Sequence, residues 1–411
     1  MRTPDGWTTA LLEELTDPAR PIRYGIVQPG RFDPDGRYMI RGQDYSEARG
    51  WARPGDFFRV SARVESRYRK ARVRAGDLII TIVGAGTGYV ETVPGWLDGA
   101  NLTQTTARIA IRPDVASPQF CKYLLQSDIG SDQVATYVKG NAQPGLNIAD
   151  VKKFAVALPR REVQDQIVKR LQDSDALISS LRMLIAKKHA IKQGMMHDLL
   201  TGTTRLPGFT GAWADSTIGS LARVTGGGTP ATRVPSYWGG SIPWFTPSEI
   251  DSVGSGLVAR SDRTISAEGL ANSAAKLVPA GTVLVTSRAS IGNVAVAEVP
   301  VTTNQGFASL IPRDTKSTWF LYYWIQQFKS ELESRAAGST FLEISAAKVR
   351  DIELRAPSLP AQQAIGSAIR DADEVIAALE RRLLATRAIK QGMMQCLLTG
   401  QAWLVPTKAR A

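Results

Sequence analysis

Two long stretches of the chain repeat apolar residues with the period of an α-helix. In each stretch the apolar positions lie three, four or seven residues apart, which places them on one face of a helix. The two apolar faces comprise Ile167, Leu171, Ile178, Leu181 and Ile185 in the first stretch and Ile365, Ile369, Ile376, Leu379 and Leu383 in the second. Each predicted helix is about 39 residues and roughly 58 Å long at ~1.5 Å per residue. A helix of that length needs a partner for its apolar face, and two such helices in one chain predict a coiled coil.

The two predicted helices are copies of one another. The heptapeptide AIKQGMM at 190–196 recurs unchanged at 388–394, and LLTG at 199–202 recurs at 397–400 in the same register. We predict that the helices pair antiparallel, because the segment between them then leaves and re-enters at one end of the pair, as compact domains with nearby termini do. In the alternative, each helix packs against its own neighbouring domain.

The segments that precede the two helices repeat more loosely. Residues 75–81 parallel residues 280–286, and such short β-branched runs bounded by glycine and turn residues predict strands. A helix is predicted after the strands in each segment, at 118–126 and at 318–328. The predicted fold class is therefore α/β (α+β), with two mixed domains and two long helices that form an antiparallel coiled coil.

The predicted order along the chain is domain, helix, domain, helix. A chain of 411 residues exceeds the size at which one hydrophobic core usually stops growing, which also favours two globular units. We place the domains at 1–157 and 208–357, and the helical regions at 158–207 and 358–411.

The chain is basic, with a formal net charge of +12 at pH 7. A positive field of this size favours a polyanionic partner such as a nucleic acid or a membrane surface. Positive charge is densest in residues 53–74, where the cations are Arg53, Arg59, Arg63, Arg67, Arg69, Lys70, Arg72 and Arg74. Such a segment, here called the basic segment, could neutralise phosphates and release counterions, which predicts DNA binding. The alternative is a solvated helix face.

Several other kinds of site are not predicted. Cys121 and Cys396 are the only cysteines, His189 and His197 are the only histidines, and their spacing argues against a zinc site. The N-terminus lacks the apolar core of a signal peptide, and no stretch reaches the roughly 20 apolar residues that span a bilayer. We therefore expect a cytoplasmic protein with no metal site and no membrane partner.

Catalytic motifs are also missing from the sequence. There is no GxxxxGK[ST] phosphate loop and no Asn-Pro dipeptide of the kind found in amino methyltransferases. The glycine-rich residues 84–88 are interpreted as a turn between strands, because their internal counterpart at 289–292 has lost most of the glycines. We therefore expect no catalytic residues in this chain.

The second domain contains a series of short motifs. They are GGTP at 227–230, YWGG at 237–240, IPWFTP at 242–247, SRASIGNV at 287–294 and TNQG at 303–306. Together with the LLTG that closes both helices, these motifs and the domain order resemble the specificity subunits of type I restriction–modification systems. The resemblance covers nearly the whole chain. The first domain lacks the YWGG and IPW motifs, and recognition domains that read different sequences are expected to differ.

The resemblance implies a division of labour between subunits. Each domain would be a target-recognition domain that reads one half of a bipartite, asymmetric site in double-stranded DNA. The coiled coil would set the spacing between the halves and dock two methyltransferase subunits, which bring S-adenosylmethionine. Motor–nuclease subunits would use ATP and Mg²⁺, so no cofactor is expected in this chain. Two alternatives remain, a self-contained DNA modification or cleavage enzyme and an orphan interaction protein that binds methyltransferase subunits.

The second domain also offers candidate DNA-contacting residues in predicted loops. They are Arg233, Tyr237, Trp238, Trp244, Arg288, Ser290 and Asn293. Arginine can bind guanine O6 and N7 through two hydrogen bonds, and asparagine can bind adenine in the same way. Tyrosine and tryptophan could pack on sugar or on a splayed base, whereas the alternative interpretation places Trp238 and Trp244 in the domain core.

Overall fold

The computed structural model describes residues 6–46, 49–140, 144–250, 256–288, 290–337 and 342–401. The chain divides into two compact units. Unit 1 comprises Met1–Ser180 with Leu383–Ala411, and unit 2 comprises Leu181–Arg382. Both divisions fall inside a long helix, so each unit contains one mixed domain and about half of each long helix.

Unit 1 consists of short strands and short helices that lead into the first long helix. Its strands are β1 (Thr8–Leu11), β2 (Arg23–Tyr24), β3 (Arg37–Ile40), β4 (Tyr45–Ser46), β5 (Gly50–Trp51), β6 (Phe58–Val60), β7 (Leu78–Thr81), β8 (Val90–Thr92), β9 (Asn101–Leu102), β10 (Thr106–Ile109) and β11 (Ala155–Leu158). Its helices are α1 (Leu12–Leu15), α2 (Ala62–Glu65), α3 (Pro118–Gln126), α4 (Asp128–Tyr137), α5 (Ile148–Val151) and the first long helix, α6 (Arg161–Thr201).

Unit 2 repeats this plan and leads into the second long helix. Its strands are β12 (Ala214–Thr217), β13 (Ala222–Gly226), β14 (Trp238–Phe245), β15 (Leu257–Val258), β16 (Arg263–Ile265), β17 (Val283–Val285), β18 (Val294–Ala297), β19 (Thr302–Thr303), β20 (Ala308–Pro312) and β21 (Glu353–Ala356). Its helices are α7 (Ile218–Leu221), α8 (Pro247–Ile250), α9 (Ala267–Ala271), α10 (Thr318–Gln327), α11 (Lys329–Arg335), α12 (Ala346–Arg350) and α13 (Leu359–Leu398).

The two domains share their sheet topology, apart from the additional strand β15 at the edge of the larger sheet in unit 2. The larger sheet has the order β2-β10-β7-β8 in unit 1 and β13-β20-β17-β18-β15 in unit 2. A smaller three-stranded sheet has the order β6-β3-β9 in unit 1 and β16-β14-β19 in unit 2, and in both the last pair is parallel. The repeat that is weak in sequence is therefore clear in strand order. The predicted fold class of two mixed α/β domains and two long helices is confirmed.

The long helices run antiparallel to each other within each unit. In unit 2, Lys192 Nζ lies 2.5 Å from Asp373 Oδ1, and His189 Nε2 lies 3.5 Å from Glu380 Oε1. Residue numbers therefore rise in α13 as they fall in α6. In unit 1, Asp175 Oδ1 lies 2.6 Å from Lys390 Nζ, and Ser174 Oγ donates to Met393 Sδ at 3.9 Å, which gives the same direction.

Both long helices also contribute to the domain cores. The buried contributors are Ile167, Val168, Leu171, Met394, Leu397 and Leu398 in unit 1, and Met196, Leu199, Leu200, Ile365 and Ile369 in unit 2. The two interpretations of the helices, pairing with each other and packing on the neighbouring domain, therefore both apply. The helix ends serve the domain cores, and the helices pair with each other as well.

The middle turns of the long helices bury a separate set of apolar residues. Ile178, Leu181 and Ile376 are buried but belong to neither domain core. Ile185, Leu379 and Leu383 are half-buried. All ten predicted interface positions are thus at least half-buried, four of them inside domain cores.

Candidate nucleic-acid interface

The basic segment of unit 1 folds into short, irregular elements. It begins with a turn of 3-10 helix at Pro54–Asp56, continues through β6 and α2, and ends with a second 3-10 helix at Ser66–Ala71. Six of its cations are exposed, namely Arg53, Arg63, Arg67, Arg69, Lys70 and Arg74. Within the described residues, no hydrogen bond or ion pair occupies the side chain of Arg53, Arg63, Arg67 or Lys70. These exposed cations are available to bind phosphate.

One buried carboxylate holds the basic segment together. Glu65 is only 4% exposed, and its two oxygens accept hydrogen bonds from Arg72, with Nη2 to Oε2 at 2.8 Å. Asn101 Nδ2 donates to the same carboxylate at 3.2 Å, and Arg37 Nε lies 3.8 Å away. The hydrogen bonds from Arg72, followed by the nearby positive charges, hold the pKa of Glu65 below its usual value. Arg72, predicted to contact DNA, therefore has a partner inside the chain.

A buried arginine supports the backbone of the same segment. The Arg108 side chain donates to the carbonyl oxygens of Lys70 at 3.0 Å, Arg72 at 2.6 Å and Pro21 at 3.2 Å. Arg108 is 2% exposed, and burial lowers its pKa to about 10, so it remains charged at neutral pH. Because the carbonyls of Lys70 and Arg72 both accept hydrogen bonds from this buried side chain, the last turn of the basic segment has an anchored backbone.

Arg59 is the other predicted DNA contact of the basic segment whose side chain has partners in the chain. Its guanidinium lies 4.5 Å from the ring centroid of Tyr38 and donates to the Tyr38 hydroxyl and the Pro34 carbonyl, both at 3.0 Å. The ring belongs to an aromatic group that continues through Trp96, with centroids 6.1 Å apart. Trp96 is 43% exposed and was not among the predicted candidates.

In unit 2, an arginine is stacked on two tryptophans. Trp238 and Trp244 of β14 meet edge to face with ring centroids 5.0 Å apart. The guanidinium of Arg263, in the neighbouring strand β16, lies 3.6 Å from the Trp238 centroid and 5.4 Å from the Trp244 centroid. Trp244 is buried and donates to the Gly228 carbonyl, whereas Trp238 is half-buried. The sequence analysis missed Arg263, since only the strand pairing brings it to the tryptophans.

Four of the five motifs of the second domain, all except SRASIGNV, meet at the small three-stranded sheet. Gly228 N donates to the Thr303 carbonyl at 2.9 Å, and Asn304 N donates to the Phe245 carbonyl at 3.0 Å. Gly227 packs against the same strand so closely that a Cβ would collide with the Thr303 carbonyl. These contacts explain why glycines, aromatic residues and the TNQG sequence occur together.

Unit 1 makes the equivalent contacts with different residues. Ile26 N donates to the Leu102 carbonyl at 2.6 Å, and Thr103 N donates to the Ile40 carbonyl at 3.0 Å. Gly25 leaves no space for a Cβ beside the Leu102 carbonyl, as Gly227 does in unit 2. The first domain therefore keeps the backbone arrangement although it lacks the motifs.

The remaining candidates of the second domain lie in two places. Arg233 is exposed and Tyr237 is half-buried, both shortly before or at the start of β14. Arg288, Ser290 and Asn293 lie in the turn between β17 and β18.

Two side chains of this turn are held by partners. Arg288 Nη2 lies 2.8 Å from Glu343 Oε1, and the amide oxygen of Asn293 accepts from Lys329 Nζ at 2.7 Å. In unit 1, residues 84–88 occupy the corresponding turn between β7 and β8.

The described residues also bear on metal and membrane sites. Across the described ranges, no three His, Cys, Asp or Glu side chains are grouped so that they could hold a metal ion. Among the helices of those ranges, none combines the length and apolar character needed to cross a membrane.

Comparison with known proteins gives consistent matches. Residues 211–386 match the family described as "Type I restriction modification DNA specificity domain". The chain is 36% identical over 166 residues to the type I restriction enzyme MjaIX specificity subunit of Methanocaldococcus jannaschii. This match covers 40% of this chain and only 38% of that protein. It is 23% identical over 421 residues to the putative type I restriction enzyme MjaX specificity subunit of the same organism, covering 97% and 94%.

A solved structure matches the fold over the whole length. The structure was solved to explain complex assembly and conformational transition of the type I R-M system. One of its chains superposes on this chain with a TM-score of 0.62 at 20% sequence identity. The match covers 98% of this chain and 100% of that chain. At this identity the likeness concerns the fold alone.

Proposed function

We propose that this chain, which is related to the specificity subunits of type I restriction–modification systems, is a DNA-recognition subunit that reads a bipartite, asymmetric site. Each domain binds one half-site, and the paired helices set the number of base pairs between the halves. Half-sites read from one face of a duplex lie about one helical turn apart, roughly 34–36 Å. The chain itself performs no catalysis in this proposal.

The observation that carries the proposal is the internal duplication. The two units have matching sheet orders, apart from the additional strand β15 in unit 2, and each contains an antiparallel pairing of α6 with α13. Two domains of one fold with different surfaces suit two half-sites of different sequence. Unit 1 presents the exposed cations of the basic segment, and unit 2 presents Arg263 stacked on Trp238. This difference supports an asymmetric target.

The chemistry is assigned to partner subunits. We propose that the long helices dock two methyltransferase subunits, which bind S-adenosylmethionine, and that motor–nuclease subunits supply ATP- and Mg²⁺-dependent activity. The duplicated helices support two copies of one partner, because each unit offers the same pair of helix segments. DNA, the methyltransferase subunits and the motor–nuclease subunits are therefore the proposed partners.

The decisive experiment is a methylation profile of cells with and without the gene. We expect one interrupted, asymmetric motif to be methylated in the parent strain and to lose its methylation on deletion. An unchanged profile would contradict the proposal. As a second measurement, calorimetric titration of the purified chain with S-adenosylmethionine distinguishes the proposal from a self-contained modification enzyme, because only the enzyme would bind the cofactor alone.

A further inference from the structure

One arrangement of three side chains occurs twice, where each domain meets the long helices. In unit 1, the Tyr123 hydroxyl donates to Asp175 Oδ2 at 2.7 Å, and Lys390 Nζ lies 2.6 Å from Asp175 Oδ1. In unit 2, the Tyr323 hydroxyl donates to Asp373 Oδ2 at 2.8 Å, and Lys192 Nζ lies 2.5 Å from Asp373 Oδ1. We call each arrangement a Tyr–Asp–Lys link.

Each link joins three separate elements. The tyrosine belongs to a domain helix, α3 or α10, the aspartate belongs to one long helix, and the lysine belongs to the other. The lysine nitrogen also lies over the tyrosine ring, 5.4 Å from the Tyr123 centroid and 5.5 Å from the Tyr323 centroid. One carboxylate therefore connects a domain to both long helices at once.

The links are more than surface ion pairs. Tyr123 and Tyr323 are buried, and the side chains of Lys390 and Lys192 are 20% and 16% exposed, although those of Asp175 and Asp373 are 41% and 39% exposed. Partial burial reduces screening by water, so such a pair is stronger and more directional than an exposed one. Burial raises the pKa of both tyrosines and the hydrogen bond to aspartate raises it further, so both hydroxyls stay protonated donors.

The occurrence of the same Tyr–Asp–Lys link in both units indicates that both domains need it. The sequences of α3 and α10 differ at most positions, yet both place a tyrosine at the same point. The hydrophobic contribution to packing between helices is non-directional. Hydrogen bonds with a defined geometry restrict small rotations, and here they restrict the domain relative to both helices.

We propose that the two Tyr–Asp–Lys links fix the angle of each DNA-reading domain on the long helices and thereby determine which spacer length the protein accepts. This inference rests on the proposed function. Adding one base pair to a spacer moves the second half-site by about 3.4 Å and rotates it by about 35° around the duplex. A domain held at a fixed angle rejects that change, whereas a domain free to rotate tolerates it.

The test is a spacer series with the full-length chain. The half-sites come from the methylation profile, and binding is measured by fluorescence anisotropy on duplexes with the native spacer and with spacers one base pair shorter or longer. The test variant combines Asp175→Ala with Asp373→Ala. We expect its preference for the native spacer to fall about tenfold, because each substitution removes one charge-assisted hydrogen bond and one ion pair. Affinity for the native spacer should fall less than this preference does.

A matched control lies two residues away in each helix. Asp173→Ala combined with Asp371→Ala removes the same charges from exposed positions of the same helices. This control should keep the parental spacer preference. Tyr123→Phe combined with Tyr323→Phe removes only the two hydroxyls and should shift the preference in the same direction by a smaller factor. The tyrosine variant carries the test if circular dichroism shows that the aspartate variant does not fold.

The outcomes separate the inference from the function on which it rests. A folded variant that loses affinity equally for all three spacers would overturn the inference, because the links would then only stabilise the fold. An unchanged preference would overturn it too. If the parental chain itself shows no sequence-specific binding to the paired half-sites, the proposed function fails as well, whatever the variants do.

Discussion

The guanidinium of Arg263 lies 3.6 Å from the ring centroid of Trp238 and 5.4 Å from the ring centroid of Trp244. Stacking of this kind orients the guanidinium plane and leaves its N–H donors directed outward. An arginine that is already oriented loses less conformational entropy when it binds than a free one. Arg263 is therefore better prepared to form two hydrogen bonds with one guanine than the free arginines of the same domain.

We predict that Arg263→Ala relaxes base selection in the half-site read by the second domain. The loss of one bidentate contact costs about 1–3 kcal/mol of discrimination at one base pair. Arg263→Lys should not restore it, because lysine lacks the planar pair of donors. Sequencing of DNA selected by the full-length chain from a library randomised in that half-site measures the effect.

The control for this prediction is Arg260→Ala. Arg260 is exposed and carries the same charge shortly before β16, but it is not stacked. Its substitution should weaken binding slightly for all sequences and leave base selection unchanged. Relaxed selection in the Arg260 variant, or none in the Arg263 variant, would contradict the role given to the stacked arginine.

Much of the fold could be predicted because the sequence of the long helices shows both their helical period and their duplication. Their apolar period and the repeated AIKQGMM sequence define two helices that must pair, and the pairs of Lys192 with Asp373 and of Asp175 with Lys390 agree with the antiparallel prediction. The sequence could not assign the ends of these helices to the domain cores. An apolar residue such as Leu171 looks the same whether it meets a helix or a domain.

The site was harder to predict because charge alone does not reveal partners. In the sequence, the cations of the basic segment look alike. In the structure, Arg72 is bound to Glu65 and Arg59 is stacked on Tyr38. Those partners are seven or more positions away, in other elements. Arg263 was missed for the same reason, since its contact with Trp238 exists only through the pairing of β14 with β16.

The exposed cations of the basic segment should act through phosphate. We predict that Arg67→Ala with Arg69→Ala weakens DNA binding for all sequences and flattens its dependence on salt. Each lost phosphate contact should reduce the slope of log affinity against log salt by about 1. Anisotropy titrations at several salt concentrations, on cognate and on unrelated duplexes, measure both effects.

Exposed cations of the long helices provide the comparison. Lys187→Ala with Arg381→Ala removes the same charge from α6 and α13. This pair should change the salt slope less than the Arg67 and Arg69 pair does. Equal slopes for the two double variants would show that the basic segment contributes only overall charge.

The carboxylate of Glu65 should make the stability of unit 1 depend on pH. Its pKa lies below the usual 4.5 in the folded protein, chiefly because Arg72 donates hydrogen bonds to it. The stabilisation is therefore complete above pH 4.5 and is lost as the pH falls through the folded-state pKa. We predict that Glu65→Gln lowers the free energy of unfolding by about 2 kcal/mol at neutral pH. The difference from the parent should shrink below pH 4.5.

Denaturant unfolding at neutral pH and at several values below 4.5 measures this convergence. Asp56→Asn serves as the control, because Asp56 is an exposed carboxylate in the same segment. Its effect should be small at every pH. If Glu65→Gln lowers the free energy of unfolding by the same amount at every pH, the ionised pair with Arg72 is not the source of the stability.

The pairing of the long helices can be tested apart from the domain cores. Leu181 is buried, Leu379 is half-buried, and neither belongs to a domain core. We predict that Leu181→Lys with Leu379→Lys separates the helices, at a cost of ~3 kcal/mol or more for charge placed in an apolar contact. Each domain should still fold, since its own core is unchanged. Binding to the bipartite site should then be lost, while binding to single half-sites persists.

Two exposed apolar residues on the same helices give the matched control for this change. Met183 and Leu384 are 65% and 63% exposed, so Met183→Lys with Leu384→Lys adds the same charges without entering the contact. The control should recognise the bipartite site as the parent does. If the Leu181 and Leu379 variant unfolds at the domains, as seen by circular dichroism and protease digestion, the helices serve stability first. If the Leu181 and Leu379 variant stays folded and still selects one spacer length, the paired helices are not needed to hold the two half-sites in register. The spacer length must then be set by another part of the chain.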